Sequence, residues 1–309
     1  MTDTLYSIVV PVYKSEKSLP ELYERIDKTF EHIEGDYELI LVEDGGGDGS
    51  WDVMKSIRQR SDKVKIVRLT RNFGQHNALM CGFSFASGKY VITMDDDLQN
   101  PPEEIPKLID KINASDLDLV CGVPEKKQQS WIRNAGSSVF FWLLSRIFKL
   151  DRAFQMSNFR IARKHVVDHI VQIPTPNPSV GPLILNITEK IGSVTVDHEE
   201  RLHGKTTYTP RKLVAHFLHG ILYHSTLPLK WVFFLGIFSI LAACALSGYY
   251  LALFLLGRIA VPGWITLVLL VLFFSGIIMF SLGIIGEYLL RITQEVYHMP
   301  QYLIRDKDI

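Results

Sequence analysis

Residues 94–102 read Met94-Asp95-Asp96-Asp97-Leu98-Gln99-Asn100-Pro101-Pro102 and close an apolar stretch, Tyr90 to Met94, that reads as a buried strand. Three adjacent carboxylates at a strand end repel one another unless a cation or strong donors compensate them. A divalent metal with a phosphate opposite it brings such residues together. In an extended segment Asp95, Asp97 and Gln99 lie two apart and project to one side, offering two carboxylates and an amide oxygen. Oxygen-only ligation suits Mg²⁺ or Mn²⁺. A solvated acidic turn is the alternative, because the helix expected next has Pro101, Pro102 and Glu103 in its first turn, where acids are favoured anyway.

Upstream of this stretch, strands alternate with helices. Leu5 to Val12 is a short apolar strand; Ser18 then stands where it can cap a helix with Pro20 in its first turn and Leu22, Ile26, Phe30 and Ile33 on one face. Next come a strand at Tyr37 to Glu43, a helix near Ser50 to Arg60, a strand at Lys65 to Leu69 and a helix from about Gln75 to Ala86. A further strand, Leu117 to Cys121, comes after the next helix. This order implies βαβ units and a mainly parallel, Rossmann-like sheet covered on both faces, an α/β fold. In such sheets ligands sit beyond the carboxyl ends of the strands. Three polar clusters fall there: Pro11-Val12-Tyr13, Glu43-Asp44-Gly45-Gly46-Gly47-Asp48-Gly49-Ser50, and Asp95 to Gln99. The glycine run is a poor dinucleotide fingerprint, since Ser50 stands at the third glycine and the acid Asp44 precedes the loop. A carboxylate there can accept hydrogen bonds from a nucleobase or ribose while glycines let the backbone approach.

The 309 residues carry 33 basic and 33 acidic side chains, so no global charge points to nucleic acid. Cys81, Cys121 and Cys244 have neither disulfide nor zinc spacing and suit a reducing compartment. No basic-then-apolar signal segment precedes the first strand. Composition shifts late: Trp231 to Leu256 and Trp264 to Gly286 contain no charged residue. At about 1.5 Å per residue each is long enough to cross a hydrocarbon core of roughly 30 Å. The short segment Gly257 to Gly263 makes them a hairpin. Basic residues flank it, Arg211, Lys212 and Lys230 before and Arg291 and Arg305 after, against Arg258 alone in the loop, so both ends are expected on the cytoplasmic side. Trp131 to Lys149 and Pro210 to His224 mix aromatic, histidine and basic residues as interfacial helices do, with core packing the alternative for the first. His216, His219 and His224 have no partner spacing for a metal and read as interfacial side chains.

Taken together, Pro11-Val12-Tyr13, Val42-Glu43-Asp44-Gly45, Arg71-Asn72-Phe73-Gly74, Asp95 through Glu103 and Gly286-Glu287-Tyr288 resemble the family 2 glycosyltransferases that load a sugar onto a polyprenyl phosphate. The resemblance is to bacterial undecaprenyl-phosphate aminoarabinose and glucosyl transferases, more distantly to dolichyl-phosphate mannose synthase, and spans nearly the whole chain. It implies an A-type glycosyltransferase domain over residues 1–209, an interfacial helix over 210–230, a transmembrane hairpin over 231–286 and a cytoplasmic tail over 287–309, in the inner membrane. The implied reaction is inverting transfer from a nucleotide diphosphate sugar, by resemblance a UDP-sugar, to polyprenyl phosphate. Carried over by position, Pro11, Tyr13, Asp44 and Asp95 contact the nucleoside, and Asp95, Asp97 and Gln99 hold Mg²⁺ or Mn²⁺ on the diphosphate.

Glu200 to Tyr208 resembles the family's Arg-x-x-Gly-x-(Ser/Thr)-x-Tyr segment, which makes Arg201 and Lys205 the candidates for the acceptor phosphate and, with Asp97, for catalysis; Arg133 is a third phosphate candidate. The chain departs from the family pattern at Lys14-Ser15, where relatives have Asn-Glu, at Gly46, where serine is common, and at Asp96, where alanine is common. It also has Asn158 in Ser157-Asn158-Phe159-Arg160, where some relatives have an Asp considered as base. A phosphate monoester has a second pKa near 6 and is largely ionised already, so it needs little base help. Gly236, Gly276 and Gly283 offer close-approach positions for a homo-oligomer of hairpins. A processive polysaccharide synthase is disfavoured by the missing Gln-x-x-Arg-Trp sequence, and a catalytically silent membrane scaffold is favoured only by Asn158 and Lys14-Ser15.

Overall fold

The computed structural model describes residues 4–124, 156–176, 178–199, 263–296 and 300–309, with isolated positions between 234 and 256. Arg133, Arg201, Lys205, both expected interfacial helices and most of the first expected span lie outside them. Two compact units result, Met1–Thr207 together with His298–Ile309, and Tyr208–Tyr297.

In the first unit the strands β1 (Tyr6–Val12), β2 (Tyr37–Glu43), β3 (Val64–Leu69), β4 (Tyr90–Thr93), β5 (Leu119–Pro124), β6 (Arg160–Arg163), β7 (Ile191–Val196) and β8 (Ile304–Asp308) form one sheet in the order β7-β5-β6-β4-β1-β2-β3-β8. β1 pairs in parallel with β2 and β4, β2 with β3, and β5 with β7. β6 runs antiparallel between β4 and β5, and β8 antiparallel to β3. The expected mainly parallel sheet is therefore present with two reversed strands. Neither was read from the sequence, because β6 has four residues and β8 carries Arg305, Asp306, Lys307 and Asp308, a charged run with no apolar period.

Alternation along the strands divides the core between two faces. Ile8, Val10, Leu39, Leu41 and Ile92 pack with α1 (Leu19–Phe30), α2 (Ser50–Arg60) and α4 (Ile105–Asn113), through Leu22, Ile26, Met54, Ile57, Leu108 and Ile112. Val9, Ile40, Val42, Val67 and Val91 pack on the other face with α3 (Gln75–Phe85), α5 (Lys164–Val171) and α6 (Val180–Ile187). Ser18 does not cap α1 through its side chain; its hydroxyl donates to the Ser15 carbonyl at 3.3 Å.

The last residues form a structural strap where a tail was expected. Gln301 Nε2 donates to the Ile173 carbonyl at 2.9 Å, Tyr302 packs into the α3 face, Thr70 N donates to the Leu303 carbonyl at 2.9 Å, and Arg58 Nε reaches Asp308 at 3.3 Å. β8 thereby covers an edge that β3 would otherwise expose.

In the second unit, described by itself, α7 (Trp264–Val296) is a 33-residue helix. It continues past Gly286, the expected end of the apolar run, through Glu287 and Arg291. Over the described residues alone no helix is long and apolar enough to cross a membrane, so the hairpin stays an expectation of the sequence.

Removing the half-buried Tyr302 ring tests the strap. Tyr302→Ala should cost about 2 kcal/mol and lower the Tm by about 4–8 °C in a detergent-solubilised thermal melt. An unchanged melt would show that the strap adds nothing to the first unit.

Candidate donor site at the carboxyl edge of the sheet

Because β4, β1 and β2 are parallel neighbours, Asp95, Tyr13 and Asp44 all emerge at one sheet edge. The backbone ladder runs up to them: Asp44 N donates to the Val12 carbonyl at 2.9 Å and Met94 N to the Val9 carbonyl at 3.4 Å. The three clusters read from the sequence therefore converge.

Asp44 is 3% exposed and accepts Phe73 N at 2.7 Å on one carboxylate oxygen and Gly74 N at 2.9 Å on the other. Burial pushes its carboxyl up, and those two donors oppose the shift. Each oxygen keeps a second lone pair for a ligand. Gly45 has φ +63, and a Cβ there would lie 2.4 Å from the backbone of Arg71 and Asn72. The segments Glu43–Gly45 and Arg71–Gly74 are thus one packed unit that no side chain at Gly45 could enter.

The acidic segment itself differs from expectation. The strand ends at Thr93, Gln99 N donates to Asp97 Oδ1 at 3.2 Å, and Leu98 has φ +61 with its side chain in the core. It is a turn, so strand alternation does not carry Asp95, Asp97 and Gln99 to one side. The left-handed Leu98 stores strain of the kind found at functional sites. Asp95 accepts Gln75 Nε2, from the first turn of α3, and Asn158 Nδ2 at 3.4 Å. Burial raises its pKa first, the neighbouring Asp97 second. Among the described residues no group of three or more His, Cys, Asp or Glu side chains is gathered as a metal site. The set read from the sequence has only two carboxylates; their mutual repulsion and all-oxygen chemistry fit a hard divalent cation.

Asp96, assigned no role from the sequence, ties the clusters together. It accepts Tyr13 N at 2.9 Å and the Ser15 hydroxyl, while Ser15 N donates to Ser50 Oγ at 2.9 Å. A Cβ on Gly46 would lie 2.9 Å from Lys14 N. The departures from the family pattern at Lys14-Ser15, Gly46 and Asp96 therefore meet in one place. Tyr13 remains 46% exposed beside them, and Pro11 is buried at the end of β1.

On the far side of the turn, Arg25 of α1 forks to Glu103 at 2.8 and 2.9 Å and reaches Glu199 at 3.0 Å. Glu199 N donates to the Gln99 carbonyl at 2.9 Å. The backbone leading to residues 200–208 thus leaves from beside the acidic turn. Sequence reading missed Ser15, Arg25 and Gln75, which only long-range contacts identify.

Burial raises the Asp96 carboxyl to about 6, from an ordinary value of 3.8. For a carboxyl raised in the folded state, the stabilising contribution is complete below the unfolded value and lost as pH rises through the folded one. With chelator present, the Tm of Asp96→Asn should therefore gain on wild type as pH rises from 4 to 7.5. A gap that moves the other way would mean that Ser15 and Tyr13 stabilise the anion.

The family model for glycosyl transferase family 2 matches residues 7–171. An uncharacterized glycosyltransferase of Synechocystis is 34% identical over 302 residues, 97% of this chain and 94% of that protein. The undecaprenyl-phosphate 4-deoxy-4-formamido-L-arabinose transferase of Proteus mirabilis is 33% identical over 307 residues, 97% of this chain and 92% of that protein. Among solved structures, glucosyl-3-phosphoglycerate synthase of Mycobacterium tuberculosis, in complex with Mn²⁺, uridine diphosphate and glucosyl-3-phosphoglycerate, shares the fold at 19% identity, with a TM-score of 0.51 over 71% of this chain and 77% of that one. The sheet order, the clustered carboxylates at its edge and these similarities along the chain agree: this chain belongs to the family 2 glycosyltransferases and is a transferase enzyme.

Proposed function

We propose that this glycosyltransferase moves a sugar from a UDP-sugar to undecaprenyl phosphate or a similar polyprenyl phosphate at the cytoplasmic face of the inner membrane. The observation that carries the reading is the convergence of the β1, β2 and β4 ends on one acid-rich edge, in a chain similar along 97% of its length to transferases named for undecaprenyl phosphate. Such an acceptor cannot leave the bilayer, so the site must be held at a membrane surface. The uncharged runs 231–256 and 264–286 supply that anchor as a transmembrane hairpin. Residues 298–309 group with the first unit, which is compatible with a hairpin whose two ends lie on the same side of the membrane, and the basic flanks favour the cytoplasmic side.

In this reading Pro11, Tyr13, Asp44 and Asp95 hold the nucleoside, while Asp95, Asp97 and Gln99 hold Mg²⁺ or Mn²⁺. The metal, when bound, neutralises charge on the departing diphosphate. Arg133, Arg201 and Lys205 hold the acceptor phosphate. One of its oxygens attacks the anomeric carbon as the bond to the diphosphate breaks, giving a phosphodiester-linked sugar and a nucleoside diphosphate with inversion. An amide takes no proton at neutral pH, so Asn158 is no base; its side chain donates to Asp95 instead. The acceptor phosphate is largely ionised already and needs little base help, so positioning and charge stabilisation carry the rate.

Incubating the purified protein with Mg²⁺ or Mn²⁺, undecaprenyl phosphate and a panel of UDP- and GDP-sugars should yield, by mass spectrometry, a metal-dependent lipid phosphate bearing one sugar. Formation of such a product without metal, or only on a soluble acceptor, would overturn the reading. Asp97→Asn should lower turnover by about 100-fold or more, and a variant with wild-type rates would remove Asp97 from the metal site. Arg201→Ala should raise the KM for lipid phosphate by about tenfold while the donor KM changes little; an effect confined to the donor would reassign Arg201 to the diphosphate.

A further inference from the structure

Arg160 opens β6 directly opposite Thr93 of β4 and is 2% exposed, among the largest fully buried side chains in the chain. Its hydrogen bonding is sparse for a guanidinium, which carries five N–H donors. Nε donates to Thr93 Oγ1 at 3.2 Å, Nη1 lies 3.9 Å from Met156 Sδ, and Nη2 is buried with no hydrogen-bond partner among the described residues. Thr93 in turn donates to the Asn158 carbonyl at 2.6 Å, and Asn158 Nδ2 donates to Asp95 Oδ2. A chain of contacts therefore runs from the buried cation through Thr93 and Asn158 to the first acid of the turn.

A guanidinium sealed in a sheet with one good acceptor among the described residues is a poor structural choice, because an apolar side chain of that volume would avoid the desolvation of a charge. Its placement makes sense as half of a charge balance. Asp95, Asp96 and Asp97 put like charges at one strand end, and Arg160 is the cation buried behind them. Burial disfavours the Arg160 cation, and the nearby Asp95 charge offsets part of that cost. Arg160 would also fix the peptide at Asn158, and so the amide that orients Asp95.

We propose that Arg160 is a positioning residue of the donor site, the buried countercharge of Asp95 that also orients it through Thr93 and Asn158. The functional importance of this pair rests on reading the acidic turn as the donor site, whereas the pairing itself does not.

A double-mutant cycle separates the two. Tm is measured in detergent on the full chain for wild type, Asp95→Asn, Arg160→Met and the double variant. Asp95→Asn should be more stabilising, by about 4 °C or more, in the Arg160→Met background than in wild type, because there it removes an uncompensated anion. If Arg160→Met alone fails to fold, recovery by the double variant carries the same meaning. Single shifts that add within about a degree, or a double variant no better folded than Arg160→Met, would overturn the pairing.

Thr93→Val keeps both charges and cuts the link between them. It should weaken Mn²⁺-dependent UDP binding about tenfold by calorimetry, and wild-type affinity in that variant would overturn the orienting role. Wild-type protein that binds no UDP with Mn²⁺ would refute the donor-site reading, while the Tm cycle would still decide the pairing.

Discussion

Strand β1 is hydrogen-bonded on one side to β2 and on the other to β4, in parallel and in continuous register, and the site depends on that arrangement. Parallel neighbours end at the same edge, so residues 83 positions apart, Tyr13 and Asp96, meet in a hydrogen bond from the Tyr13 backbone N to the Asp96 carboxylate. The ladder contacts at Asp44 and Met94 carry sheet order to the last residue before the polar clusters. Groups held this way start from a rigid frame, as recognition of a charged ligand requires.

Within that frame the acids are not merely exposed side chains at a rim. Asp44 is occupied by the backbone of Phe73 and Gly74, Asp95 by Gln75 and Asn158, and Asp96 by Tyr13 and Ser15. These contacts determine where each carboxylate points, yet burial still raises all three pKa values. The buried Arg160 and left-handed Leu98 add cost of the same kind. Stability sacrificed at one edge of an otherwise apolar sheet is the usual signature of a binding surface organised before its ligand arrives.

The first unit is built from both ends of the chain, since β8 closes the sheet against β3 after residues 208–297 have intervened. The strap also reaches α3 through Tyr302 and the Thr70 backbone through Leu303. It therefore holds Thr70, the residue before the segment 71–74 on which Asp44 is seated. Completion of the sheet depends on residues C-terminal to the apolar helix, a non-local contact that links the two parts of the chain in folding.

Local signals determined much of this protein. The alternation of apolar strands and amphipathic helices through residue 113 marked nearly every element of the first half, because period and turn chemistry are properties of neighbouring residues. The carboxylates at the strand ends and the order of the motifs were likewise legible. The tertiary structure alone decided the relations between distant residues. β6 and β8 are too short or too charged to announce themselves, and their pairing comes from strands already in place. Strand alternation was the wrong rule for Asp95 to Gln99, because core burial of Leu98 bends the segment into a turn. Asp96 and Arg160 gained their partners from β1 and β4 through the same cause: sheet topology brings together side chains that the sequence keeps far apart.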